Sequence, residues 1–405
     1  MNVLFVAPGF PTEMPYYVRG LRANGATVFG LGDQLPHELP AMARENLGDY
    51  GRFPGIFLDN ADLAPVKAWL GNRKVDRVVC QWEPGVLLCG RLRDFLGVEG
   101  MGYDALLPFR DKVIMKDMVR DAGLRTARSE RAKSEQEVRD AAVIVGYPLI
   151  VKPIAGAGSM DTFRCDNAAE LDAALKLMKH VDEVVVEEFI DGEEYTFDTI
   201  CHEGKVLFWN MCFYRPRPLI ARTVMWVSPQ TMVLREPDAP KYAAGRALGL
   251  AVLKALNFRT GFTHMEWYLK ANGEAVFGEI GARPPGAHTV DIMNWANDCD
   301  LFNGMGEAEV KGTFSQEIVR KYNCTCLTKR AQGEGTIRRI EGVERVRHTL
   351  GEQLVALNLL KVGEQRRDPK LSLLGDGWVV IRDPDLQACM DACDFVGQTL
   401  QMYAS

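Results

Sequence analysis

The residues best placed to do chemistry in this 405-residue sequence lie in the tract His264–Ile280, where two glutamates flank an Asn-Gly step. Glu266 stands six residues before Asn272, and Glu279 six after Gly273. Asn-Gly between two alternating runs signals a hairpin with a two-residue type I′ turn. Such a turn fixes the register and sets the two glutamates directly opposite each other, Cβ atoms about 5 Å apart. Alternation puts Met265, Trp267, Leu269, Val276 and Ile280 on one apolar face. His264, Glu266, Tyr268, Lys270 and Glu279, with Phe277 among them, share the other. Facing carboxylates repel unless a cation lies between them. A carboxylate pair completed by phosphate oxygens suits Mg²⁺ or Mn²⁺. The plainer reading is a solvated sheet face whose repulsion water screens.

Cations and small residues occur upstream. Leu149–Pro153 is an apolar run carrying Lys152 near its end, followed by the Gly-rich stretch Ile154–Met160. Small residues let backbone N–H groups approach phosphate oxygens. No GK[ST] follows, so the stretch is not a Walker A loop. Val184–Val186 leads into Glu187-Glu188-Phe189-Ile190-Asp191-Gly192-Glu193-Glu194, a strand ending in carboxylates. Its backbone could read a base and its acids ribose hydroxyls; a merely polar strand end is the simpler account. Cys212–Thr223 concentrates Arg215, Arg217 and Arg222 with two prolines, which predicts a loop facing acidic substrate groups. His288 follows a Pro-Pro-Gly turn and either contacts substrate or caps the next helix.

These groups need elements to hold them. Val3–Ala7, Ala26–Leu31 and Asp76–Gln81 read as strands. Helical patterns lie between and after them, at Pro15–Asn24 and to about Leu96. Such alternation predicts a parallel sheet, with a ligand place at the strand ends near Pro8–Phe10 and Gln81–Gly85. A linker helix and a strand are expected over 103–130, then a helix at Glu135–Val145 and a strand at Leu149–Pro153. Glu183–Glu188, Tyr195–Cys201 and Lys205–Phe213 read as strands, Asp238–Leu256 as a long helix and Pro384–Met402 as a final one. The class is α/β followed by α+β.

Composition narrows the field. The net charge is −6, from 48 basic and 54 acidic residues, which argues against a general nucleic-acid-binding face. No apolar stretch reaches the roughly 18 residues of a membrane span, and the start lacks the basic region of a secretory signal. The ten cysteines include no CxxC pair and read as reduced thiols of a cytoplasmic protein.

Taken in order, Lys112 in Phe109-Arg110-Asp111-Lys112, Val151-Lys152-Pro153, Gly156–Ser159, Glu187–Glu194, Met265-Glu266 and Glu279-Ile280-Gly281-Ala282-Arg283 resemble the ATP-grasp superfamily. The resemblance implies a Rossmann-like pre-ATP-grasp domain over 1–105, a small domain with its linker helix over 106–190, and a large domain with a C-terminal extension over 191–405. It implies ATP phosphates on Lys112, Lys152, Gly156, Gly158 and Ser159. It further implies adenine along Glu187, Glu188, Phe189 and Ile190, ribose at Glu194, and Mg²⁺ on Glu266 and Glu279. Arg283, with Lys152, would stabilise the transferred phosphoryl group and an acyl phosphate. Two departures stand out. Gly281 replaces a common asparagine ligand, and Met160-Asp161 follows Ser159 where a glycine is usual. The tract after Glu279 is similar to bacterial L-amino-acid ligases and related carboxylate–amine ligases, less so to biotin carboxylase.

The expected activity is ATP-dependent coupling of a carboxylate to an amine, giving an amide or dipeptide, ADP and phosphate. Carboxylation through carboxyphosphate and non-catalytic nucleotide binding are the alternatives. The expected partners are a small acid and an amine, with no nucleic acid or membrane. A homodimer is a further expected state, since dimers are common in that superfamily.

Overall fold

The computed structural model describes residues 1–154, 161–224, 227–368 and 375–405. The fold class is the expected one, a mixed α/β and α+β chain. Its first sheet is parallel, in the order Asp49–Arg52, Thr27–Gly32, Asn2–Val6, Arg77–Cys80. Helices cover it, so its central strand is apolar throughout: Val3, Leu4, Phe5 and Val6 are fully buried. The strand Asp49–Arg52 has little apolar signal and was not expected from the sequence.

The second sheet is antiparallel and small: Ser129–Ala132, Val184–Glu188, Leu149–Pro153, Phe163–Cys165. Two helices back it. Glu135–Val145 begins as the sequence predicts because Ser134 caps it, accepting from the Glu137 N–H at 3.2 Å, while Glu137 accepts from the Lys133 N–H at 2.7 Å. Ala168–Leu177 is capped by Asn167 in the same way.

The third sheet has nine strands. The hairpin Gly261–Leu269 and Ala275–Gly281 forms one end and lies against the long strand Glu193–His202. Beyond come Cys212–Arg215, Gln230–Val233, Asn323–Lys329, Gly377–Asp383 and Leu354–Leu359. Ala243–Ala255 packs behind the hairpin, with Gly245 against Trp267 and Gly249 against Phe197. The first and third sheets are joined by helices Met14–Ala23 and Leu301–Lys311, which cross backbone to backbone. A Cβ on Gly20 would fall 2.2 Å from the Phe302 carbonyl oxygen, and one on Gly306 2.3 Å from the Gly20 carbonyl carbon.

Three expectations change. Lys205–Phe213 is two strands, Lys205–Asn210 and Cys212–Arg215, broken at Met211. The long helix starts at Ala243, after a short 3₁₀ turn. The last helix, Leu386–Thr399, stops early, and Gln401–Ala404 pairs with Ile337–Glu341 as a strand. No helix among the described residues is long and apolar enough to cross a membrane.

Candidate functional site

The hairpin brings Glu266 opposite Glu279, by a route other than the expected one. The turn is not two residues long. Lys270 N–H bonds to the Glu274 carbonyl at 3.0 Å and Gly273 N–H to the Lys270 carbonyl at 2.9 Å, and Leu269 pairs with Ala275. That longer turn would offset the glutamates by one residue. A bulge at Gly278 restores them: below it Trp267 pairs with Phe277, above it Glu266 pairs with Glu279. A side chain does not fit there, since a Cβ on Gly278 would sit 2.9 Å from the Glu266 carbonyl oxygen. The longer turn also exchanges two faces below the bulge. Phe277 enters the core with Trp267, while Val276 joins Tyr268, Ala127 and Ile190 in a small apolar cluster.

Three lysines meet this pair. Lys112 opens the helix Lys112–Asp121, capped by Asp111, and its Nζ lies 3.6 Å from Glu279 Oε2. Lys152, on the strand Leu149–Pro153, lies 3.5 Å from the same oxygen and 3.0 Å from Glu187 Oε2. Lys116, one helical turn after Lys112, is 1% exposed and lies 2.5 Å from Glu187 Oε1. Burial alone would raise Glu279. Lys112, Lys152, Lys116 and Arg283 outweigh it and hold the carboxyl at about 2. Burial lowers Lys116 to about 8 against the pull of Glu187. Burial also opposes the charge on Lys152, but Glu187 and Glu279 outweigh it and hold this lysine above its ordinary range. Glu187 therefore braces two lysines.

Glu266 is positioned from its other side. The Tyr214 hydroxyl donates to Glu266 Oε1 at 3.1 Å, and His264 Nε2 lies 3.5 Å from that oxygen. His264 Nδ1 meets buried Asp198 Oδ1 at 2.6 Å. Burial disfavours the charged ring, yet Asp198 and Glu266 raise His264 to about 9. Arg283 Nε lies 2.5 Å from Glu83 Oε2, and Glu83 also pairs with Arg110. Glu83, Arg110, Lys112, His264, Glu279 and Arg283 line one pocket.

A second cluster lies where the small sheet meets the hairpin. Arg164 and Arg217 stand over the Phe189 ring, at 4.1 and 5.0 Å from its centroid. Arg217 also donates to the Ile190 carbonyl at 3.0 Å and lies 3.4 Å from Glu194 Oε2. Burial and then Glu266 push Glu194 up to about 8, opposed by Arg217. Glu188 turns away to Arg125 and Arg128.

The arginine-rich segment is corrected. Cys212–Arg215 is a paired strand, because the prolines at 216 and 218 come after pairing ends, and Pro218–Thr223 is a helix. Alternation sends Tyr214 to Glu266 and Arg215 to the opposite face, where it meets Asp394 at 2.6 Å. Arg215 therefore does not join Arg217 at the cleft. Gly156, Gly158 and Ser159 lie outside the described residues, as does the side chain of Arg222. His288 Nδ1 meets Asp291 Oδ2 at 2.8 Å and makes no capping bond to the helix it precedes.

Sequence reasoning missed Lys116, Tyr214 and the His264–Asp198 pair, and saw Glu83 only as part of a strand end. Lys116 carried a signal, its four-residue spacing from Lys112. The others are tertiary contacts.

The two glutamates supply hard oxygen donors on facing strands, and no group of three or more metal-binding side chains occurs among the described residues. That suits Mg²⁺, which keeps most of its octahedral shell for phosphate and water.

Comparison with known proteins agrees. Residues 145–290 match the ATP-grasp domain. The L-arginine-specific L-amino acid ligase of Bacillus subtilis is 29% identical over 215 residues, 51% of this chain and 51% of that one. The chain thus spans about half the length of that curated relative. The L-amino acid ligase of Bacillus licheniformis superposes with TM-score 0.79 at 19% identity, over 100% of this chain and 98% of that one. The N5-carboxyaminoimidazole ribonucleotide synthetase of Thermotoga maritima follows at 0.70 and 16%, over 100% and 99%. ATP-grasp enzymes use ATP and Mg²⁺. The glutamate hairpin and Lys152 both fall inside the segment that matches the ATP-grasp domain.

Proposed function

We propose that the chain is an ATP- and Mg²⁺-dependent ligase that activates a carboxylate as an acyl phosphate and couples it to an amine. The products are an amide or dipeptide, ADP and phosphate. One observation carries this reading. Lys112 and Lys152 converge on Glu279, which faces Glu266 across the hairpin, with Arg283 lining the same cavity.

Each residue has a task. Lys112 and Lys152, with the stretch holding Gly156, Gly158 and Ser159, take the phosphates. The apolar cluster of Ala127, Ile190 and Val276 with Phe189 takes the base, and Glu194 the ribose. Glu266 and Glu279 would hold Mg²⁺, which neutralises phosphate charge. A carboxylate does not react with an amine at neutral pH, and its phosphorylation makes the carbonyl an electrophile. Arg283, fixed by Glu83, offers a preset cation to the oxyanion that forms on attack. Glu187, anchored by Lys116, and Glu279 keep Lys152 charged and aimed.

The L-amino-acid-ligase likeness makes amino acids the first substrates to try. The free, mostly buried thiols fit a reducing cytoplasm, and a homodimer is the assembly to look for by light scattering. The decisive measurement is ADP release over a matrix of amino acids and small acids, with mass detection of the condensed product. ADP and phosphate formed only when acid and amine are both present supports the reading. AMP as product, or bicarbonate-dependent ADP release with no amine, overturns it.

A further inference from the structure

The incoming nucleophile poses a problem that the residues assigned so far do not solve. At neutral pH an amino group is an ammonium ion with no lone pair to attack a carbonyl. Lys112, Lys116, Lys152 and Arg283 are cations and cannot take its proton. Glu266 and Glu279 are committed to the metal.

We propose that His288, oriented by Asp291, is the base that deprotonates the amine. The inference rests on the ligase reading above and adds a catalytic residue to it. Four observations support it. Asp291 Oδ2 accepts from the ring at Nδ1, 2.8 Å away, which leaves the Nε2 lone pair as the basic site. Among the described residues Nε2 has no hydrogen-bond partner, and the side chain keeps 17% exposure. The ring is held in place by Trp378, centroid to centroid at 4.6 Å. The backbone is held in an unusual state: Ala287 and His288 both adopt left-handed φ, 55° and 62°. Thr289 secures that turn by donating from Oγ1 to the Gly286 carbonyl at 2.7 Å. Non-glycine residues in this region are strained and persist where surroundings enforce them.

The dyad stands close to Arg283 along the chain. His288 follows Arg283 by five residues. Buried Tyr17 lies within electrostatic reach of Asp291 and of Arg283: burial raises its phenol, Glu13 and Asp291 raise it further, and Arg283 opposes them.

The step balances as follows. The ammonium gives one proton to His288 Nε2, and the freed nitrogen lone pair forms the C–N bond at the acyl-phosphate carbonyl. The carbonyl C–O bond to phosphate then breaks, and phosphate leaves with the electron pair. The nitrogen sheds its second proton to the departing phosphate, giving the amide and hydrogen phosphate. His288 returns its proton to water.

The test uses two nucleophiles with one acid and ATP. Hydroxylamine is already neutral at pH 7.5 and needs no base. The α-amino acid that the wild type turns over fastest does need one. His288→Gly suits a left-handed position, and His288→Gln keeps the bulk without the basicity. Both should lower amide formation about 100-fold while hydroxamate formation stays within about threefold. Imidazole added to His288→Gly should restore part of the amide rate. Asp291→Asn should lower amide formation about tenfold with hydroxamate unchanged. Equal loss with both nucleophiles, or amide formation retained within about threefold, would overturn the proposal. A wild type that makes no hydroxamate from any acid would instead defeat the ligase reading.

Discussion

The two ends of the cleft handle charge in opposite ways. At the phosphate end Lys116, Glu187, Lys152, Glu279 and Lys112 form an unbroken chain of ion pairs, each inner member touching two opposites. At the acceptor end the groups are shorter: Arg110, Glu83 and Arg283 make one, and His288 with Asp291 makes another. The first arrangement fixes positions before any ligand arrives, so little reorganisation is left for the reaction. The second leaves one nitrogen uncommitted. A chain of mutual partners suits groups that must stay charged and still. An isolated dyad suits a group that must change its protonation state.

The largest test of that contrast is loss of turnover at the phosphate end. Glu279→Gln should reduce ADP release about 1,000-fold whatever nucleophile is supplied. Arg283→Ala should do the same to coupling, with far-UV circular dichroism unchanged in both. Near-normal rates in either variant would remove it from its role. Next comes stability. Lys116→Met leaves Glu187 with Lys152 alone, and chemical denaturation should show a loss of about 2 kcal/mol, less than for a fully orphaned buried charge. No loss would mean that the chain of pairs is not mutually supporting.

Gly278→Ala should destabilise by about 1–2 kcal/mol, because the new methyl meets the Glu266 carbonyl oxygen. It should also weaken Mg²⁺ binding more than a surface Gly→Ala change does. The smallest expected effect is the pH response of Glu279. Its carboxyl sits at about 2 in the folded chain, below the roughly 4.3 of an unfolded glutamate. Its stabilisation is complete above the unfolded value and is lost as pH falls through about 2. The melting-temperature gap between wild type and Glu279→Gln should therefore narrow from pH 5 towards pH 2, and a constant gap would contradict this assignment.

The hairpin shows what a sequence can and cannot say. Glu266 and Glu279 were legible as a facing pair from their equal distances to Asn272-Gly273. Yet the turn is longer than that signal implies, and the bulge at Gly278 compensates. Two departures from regularity cancel at the glutamates and do not cancel at Phe277, which therefore changes face. Lys152 was readable at the end of an apolar run, and Lys112 only through the resemblance carried by Phe109-Arg110-Asp111-Lys112. Glu83 was not, since its partners Arg110 and Arg283 come from two other parts of the chain. Arg215 misled because prolines were taken to forbid pairing, whereas they begin one residue after the strand ends.

The crossing at Gly20 and Gly306 has a mechanical consequence. With backbone touching backbone there is no side-chain layer to shear, so the parallel sheet and the nine-stranded sheet behave as one rigid frame. Any jaw that shuts over a nucleotide must then be the small sheet, which meets the hairpin through the Thr126–Phe277 bridge. Hydrogen exchange should be slower in helices 14–23 and 301–311 than across strands 149–153 and 184–188, and the reverse order would assign the moving part to the frame.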